Sequence, residues 1–172
     1  MISPAENKPT ILVVYNTYLN KGGEDSVVQN ELQTLRKYDY HVHYKEYDNL
    51  AFQSLSLGTF VVPLNIFFNF SVFLNTFFFV RRHKVEVVHV HNVFYNVSPS
   101  VFWGAKLAGA RTIYTVHNYR LFCLNGLFFL NGKICTACQD TGSFKKGIAN
   151  KCFKKSSLFS LFLALSTKIH RK

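Results

Sequence analysis

Hydrophobic positions recur along this chain with distinct rhythms, and each rhythm predicts an element. Thr10 to Tyr15 is a short unbroken run of β-formers, the pattern of a strand covered on both faces. A loop from Asn16 to Gly23 follows and ends Lys21-Gly22-Gly23. Glu24 and Asp25 then open a helix, where acidic groups complement the positive end of the dipole. Val28, Leu32 and Leu35, at i, i+4 and i+7, give that helix its core face. Tyr40 to Tyr47 alternates with period two and predicts a second strand. The opening is a β-loop-α-β unit with glycines at the helix entrance.

Two later blocks repeat one another. Val85 to Val90 is a β run that empties into His91-Asn92, and Arg111 to Val116 is another that empties into His117-Asn118. They bracket a helix beginning Ser98-Pro99-Ser100, so two parallel strands and their crossover can be read directly. Open α/β sheets collect ligands at the C-terminal ends of their strands. The pattern predicts an α/β fold, a Rossmann-like parallel sheet with flanking helices and a site along one edge.

Between these units, Leu50 to Val80 is dense in Phe and carries no charge, and Arg81-Arg82-His83-Lys84 follows at once. It is long enough to span a bilayer. Pro63, Asn65, Asn69, Asn75 and Thr76 interrupt it, and strands on both sides should join one sheet, which a single crossing forbids. Core helices, or a segment dipping into a membrane surface, fit better; membrane contact stays open. After the second His-Asn, residues 128–134 read as strand, Asn-Gly turn and strand, a hairpin signal. Ser156 to Lys172 predicts a helix with Leu158, Phe162 and Leu165 toward the core and a basic last turn. The organisation expected is a Rossmann-like unit over 1–122, a Cys-rich hairpin excursion over 123–155 and a basic helix over 156–172.

Composition narrows the functional classes. With 172 residues, 48% of them hydrophobic and 18 of them Phe, the chain suits one folded domain with a real core and excludes a disordered one. The net charge of +11 is concentrated: residues 111–172 hold 11 Lys and Arg against Asp140 alone, while residues 1–110 hold 9 against 8 acidic groups. Such a block suits an anionic partner (a phosphorylated ligand, an acidic membrane surface or nucleic acid) or is a solvated tail. The polar start lacks the apolar core of a signal peptide, so a cytoplasmic, reducing location without stable disulfides is expected.

Several residues could carry chemistry. Gly22-Gly23 before a helix is either a tight turn or a place where backbone approaches a phosphate. His91 and His117, at equivalent strand ends, could each donate a proton or bond a sugar hydroxyl or phosphate. His89 alternates into the sheet and reads as a structural histidine bonded to a carbonyl. Arg120 is a phosphate ligand or a surface cation. Cys123, Cys135, Cys138 and Cys152 are the only cysteines, in the pattern C-x11-C-x2-C-x13-C. Four thiolates with a C-x2-C knuckle suit a closed structural zinc site; reduced or redox-active thiols are the alternative.

Taken together, Gly22-Gly23-Glu24-Asp25-Ser26-Val27-Val28 through Glu31, Leu35 and Asp48-Asn49, then His89-Val90-His91-Asn92, Ser98-Pro99-Ser100 and Thr115-Val116-His117-Asn118-Tyr119-Arg120 with Cys123, Asn125-Gly126 and Cys135-x-x-Cys138 resemble glycosyltransferase family 4, in a Cys-containing subgroup. The resemblance covers nearly the whole chain, least of all the Phe-rich segment. It implies the N-terminal half of a GT-B fold, in which one Rossmann-like domain receives the acceptor and a second binds the nucleotide sugar. It also implies hexosyl transfer with retained anomeric configuration and no catalytic metal. Carried over by position, Gly22 and Gly23 would approach the donor phosphates, where the reading of Arg120 as a phosphate ligand would also place it, and His117 would lie near the transferred sugar as the catalytic group. His91, Asn92 and Asn118 would line the acceptor side. The chain reaches Lys172 without the Glu-x7-Glu pair of a second domain. The expectation is therefore an acceptor-side domain, inactive alone, with a nucleotide-sugar donor as co-substrate and a glycan or lipid-linked cell-envelope acceptor. Its partners would be a separate donor-binding domain and the inner face of the cell membrane, with nucleic acid not expected. The alternative is a non-catalytic module that contacts anionic lipid or nucleic acid through its basic, Cys-rich third.

Overall fold

The computed structural model of the chain describes residues 8–17, 22–48, 64–94 and 97–170. Strand β1 (Ile11–Thr17) leads to helix α1 (Gly23–Lys37) and strand β2 (Val42–Asp48). After a helical turn at 64–67 come helix α2 (Phe70–His83), strand β3 (Val87–His91), helix α3 (Ser100–Leu107) and strand β4 (Arg111–Thr115). The rest is finer-grained: strands β5 (Phe129–Leu130) and β6 (Lys133–Ile134), short helices α4 (Ala137–Asp140) and α5 (Lys145–Ala149), then helix α6 (Ser157–His170). Residues 49–63, with Pro63 among them, lie outside the described residues.

The first four strands form one parallel sheet in the order β2-β1-β3-β4. The chain is α/β, with a Rossmann-like sheet between helices. Strand order reverses at β1, and the reversal opens a crevice between the C-terminal ends of β1 and β3. Period-two alternation sends Leu12, Val14, Val88 and Val90 to one face, where α2, α3 and α6 cover them. Ile11, Val13 and Tyr15 point to the other face and meet Val28 and Leu32 of α1. A lone membrane crossing between β2 and β3 would separate strands that share β1 as a neighbour. Length and composition would let the helix from Leu64 to His83 cross a membrane.

Side chains fix where the helices begin. Asn69 caps α2 by accepting from the Val72 N–H, and its own backbone N–H donates to Ser98 Oγ at 3.0 Å. Ser100 Oγ returns a bond to the Asn69 carbonyl, so Ser98-Pro99-Ser100 ties the starts of α2 and α3 together. Gly104 lets those helices touch, because a Cβ there would sit 2.4 Å from the Phe73 carbonyl oxygen.

Helix α6 forms over the expected residues but turns the other way. Leu158 and Leu165 are 55% and 43% exposed, whereas Ser160, Ala164 and Thr167 are buried. Both sets repeat at i, i+4, i+7, so periodicity could not choose between them. The buried face joins the fully buried Leu163 to small residues that approach closely: Ser166 Oγ reaches the Ile66 carbonyl at 3.0 Å, and Ser160 Oγ accepts from the Phe153 N–H. The antiparallel β5–β6 pair turns at Asn131-Gly132, both with positive φ.

Candidate functional site

Five chain segments converge on the C-terminal edge of the sheet. The ends of β1, β3 and β4 bring Tyr15 and Asn16, His91 and Asn92, and Thr115 to His117; the start of α1 brings Gly22 to Asp25, and the loop after β4 brings Asn118 to Arg120. His89 and His91, two apart on β3, share the face toward α1, where Glu31 waits. Glu31 Oε1 lies 2.5 Å from His89 Nδ1, and Oε2 lies 3.3 Å from His91 Nε2, the latter outside hydrogen-bonding alignment. His89 Nε2 meets Thr115 Oγ1 at 2.7 Å, and His91 Nδ1 meets His117 Nε2 at 2.9 Å. The rings of His91 and His117 stack, 28° apart.

The proton inventory of this chain follows from its anchor. Glu31 accepts the hydrogen of His89 Nδ1, and the nearness of its other oxygen favours the His91 tautomer with hydrogen on Nε2. His89 Nε2 then accepts from the Thr115 hydroxyl, and His91 Nδ1 accepts from His117 Nε2–H. His117 is left with a bare Nδ1, a base or hydrogen-bond acceptor on a half-buried ring. Burial, reinforced by the neighbouring His89 and His117, lowers His91 to about 4, so the fully buried ring is neutral at physiological pH. Burial lowers His117 too, against a pull upward from Glu31. The ligand atoms of Glu31, His89 and His91 lie within 4.8 Å of one another, a spacing that a divalent cation could also bridge.

Asn92 adopts φ +55°, a left-handed conformation that asparagine tolerates better than most residues. Its amide donates to the Asn16 carbonyl at 2.9 Å, and its Oδ1 accepts from the Phe94 N–H. Asn16 reciprocates by donating to the Phe94 carbonyl. The pair laces β1 to β3 just below the crevice, so the polar atoms of Asn92 are engaged by backbone. Asn118 likewise accepts from the Arg120 N–H and turns the loop.

Gly22 and Gly23 begin α1 without positive φ, and a Cβ on either would meet open space. The turn itself does not demand glycine; what the glycines leave is room. The Asp25 carboxylate already accepts the Gly22 N–H at 2.6 Å, and Glu24 stands beside it. Tyr15 Oη lies 3.2 Å from Glu24 and 3.0 Å from Asp25. Burial, with Asp25 adding, raises Glu24 to about 7, while the Tyr15 hydroxyl and Arg120 pull it down. Burial also raises Tyr15, helped by both carboxylates. Arg120 lies over the rings of Phe94 and Phe153 and donates from Nη1 to the Leu124 carbonyl at 3.1 Å. Among the described residues its buried Nε has no partner.

The four cysteines are free thiols, and all four line one cavity of about 10 Å³ below the same loop. Burial, with the neighbouring thiols adding, raises Cys138 and Cys152. Grooves of about 420 and 540 Å³ lie elsewhere, beside Trp103 and His170 and at the opposite end of the strands near Glu86 and Arg111. Chemistry, and not volume, marks the histidine edge.

Sequence reasoning brought His91 and His117 to one edge but missed what stands behind them. His89 is bonded to Glu31 and Thr115, not to a carbonyl, and belongs to the same network. Glu31 could have been found: it directly precedes the buried Leu32 and is flanked by the core face of α1. Tyr15 and Asn16 ended the first apolar run and carried a similar signal. No family model, curated protein or solved structure matches the chain.

Proposed function

We propose that this chain is the acceptor-side, Rossmann-like domain of a nucleotide-sugar-dependent glycosyltransferase, acting with a separate donor-binding domain. The observation that carries the reading is the His91–His117 contact at the C-terminal ends of adjacent parallel strands, anchored through Glu31 beside the crevice at β1. The resemblance of the ordered motifs to family 4 supports it, as does the open space above Gly22 and Gly23. In this reading His117 Nδ1 faces a sugar hydroxyl, and His91 and Glu31 hold the ring in the accepting tautomer. Arg120, with its spare Nε, faces anionic oxygens of the donor. Catalysis draws on these groups and on no metal at the histidine edge. A glycan or lipid-linked envelope precursor suits the exposed Phe70, Phe78 and Trp103 and the basic last third, with the work done at the cytoplasmic face of the membrane.

The test is calorimetric titration of the chain with uridine- and guanosine-diphosphate sugars and with lipid-linked saccharides extracted from envelope membranes. Saturable binding that His117→Ala abolishes is expected. Binding only to anionic vesicles or oligonucleotides, steeply weakened by salt and indifferent to His117→Ala, would instead establish the binding module.

A further inference from the structure

We propose that Cys123, Cys135, Cys138 and Cys152 hold one zinc ion as a closed tetrathiolate centre that fastens the His117–Arg120 loop to the sheet. Cys123 ends a loop, Cys135 and Cys138 flank the start of α4, and Cys152 follows α5, yet all four line the same small cavity. Its volume of about 10 Å³ is that of a single water-sized sphere, room for one ion and no substrate. No three of the sulfurs lie as close together as the Glu31–His89–His91 atoms, so binding would have to draw the thiols inward.

The walls of the cavity suit thiolate ligands. Gly147 and Lys146 line the cavity beside Cys138, and Lys146 brings positive charge near the sulfurs. A Cβ on Gly147 would come 3.1 Å from Cys138 Sγ and 2.9 Å from Leu124, so glycine is what allows this approach. Close backbone approach and an aliphatic wall, here Gly147 and Leu124, are an outer shell that structural metal sites use. Binding is proton-coupled and balanced: four thiols and one Zn²⁺ give one tetrathiolate of net charge minus two and four released protons. Lys146 and the lysines of the same segment offset that charge.

The segment also needs a staple. Between Val116 and Ser156 regular structure amounts to two-residue strands and helices of four and five residues. Inside it, Leu124 and Phe153 are buried in the main core, and Arg120 bonds the carbonyl of Leu124. A metal at the four sulfurs would thus fix the far end of the loop that follows His117. This centre stands apart from the sugar-transfer reading, and metal content reports on it even if no sugar binds.

The experiment uses the full chain, purified under reducing conditions without chelator. Elemental analysis is expected to find one zinc per chain, and cobalt exchange to produce the intense visible bands of a tetrahedral thiolate site. Cys138→Ser should lose stoichiometric metal. Should that variant fail to fold, Gly147→Ala, which keeps every ligand, should weaken zinc affinity about 10–100-fold. Traces of zinc alone with no cobalt spectrum on reconstitution, iron in place of zinc, or affinity unchanged in both variants would overturn the proposal.

Discussion

The histidine edge and the cysteine segment adjoin through a single loop, Val116 to Leu124, but are held in different ways. At the histidine edge, hydrogen-bonded strands set the register, so His91 and Thr115 are neighbours before any side chain interacts. The side chains then need only one carboxylate, Glu31, to order their protons. In the cysteine segment the backbone makes turns and little ladder, and a few plugs such as Leu124 and Phe153 connect it to the core. Groups on sheet ends are placed by the fold; groups on an excursion must be placed by something added to it.

The largest effect should come from cutting the connection between the two regions. Leu124 is fully buried and packs against Gly147 beneath the thiols. Leu124→Ala is expected to cost about 2–5 kcal/mol in denaturant unfolding, from lost transfer energy plus the cavity. Amide exchange should accelerate first in residues 117–155 and last in β1 and β3, a gradient that would vanish if the two regions were equally dependent on the core.

A smaller effect isolates the histidine edge. Glu31→Ala removes the acceptor of His89 and leaves that ring donor unpaired, at about 1–3 kcal/mol. It should also release the tautomer of His117, visible in imidazole nitrogen shifts, while leaving the cysteine segment's exchange unchanged. The pH dependence has a definite sign. His91 sits near 4 in the folded chain against an ordinary 6.5, so the unfolded chain takes up its proton first. This group's contribution is intact above about pH 6.5 and is lost as pH falls toward 4, measurable as a declining denaturation midpoint that His91→Gln flattens.

The smallest effect is on α6. Leu165→Gln, on the exposed stripe, should change stability by no more than about 0.5 kcal/mol. A loss of several kcal/mol would mean that this stripe is covered in solution.

Much of this was legible beforehand, and the remainder was hidden for physical reasons. Strand ends were readable because β-formers stop abruptly at His-Asn, and α1 because Val28 and Leu32 carry one unambiguous apolar stripe. The orientation of α6 was not, since two stripes share one period and only packing against Ile66 and Phe153 favours the face that carries Ser160, Leu163 and Thr167. In sequence His89 reads as a sheet histidine bonded to a carbonyl, because its partners, Glu31 and Thr115, are distant along the chain and meet it only through strand register and helix placement. The four cysteines were grouped by spacing, but their common cavity depends on turns at left-handed residues such as Lys151 that no periodicity announces.

The most direct measurement is a long-range proton–nitrogen spectrum of the histidine-labelled chain, titrated with the nucleotide sugars and lipid-linked saccharides named above. His117 is expected to start as the Nε2–H tautomer and its Nδ1 resonance to move saturably with ligand, while His83 and His170 stay still. A His117 that begins in the other tautomer, or that never responds while anionic vesicles shift signals along the basic last third, would contradict the proposed function.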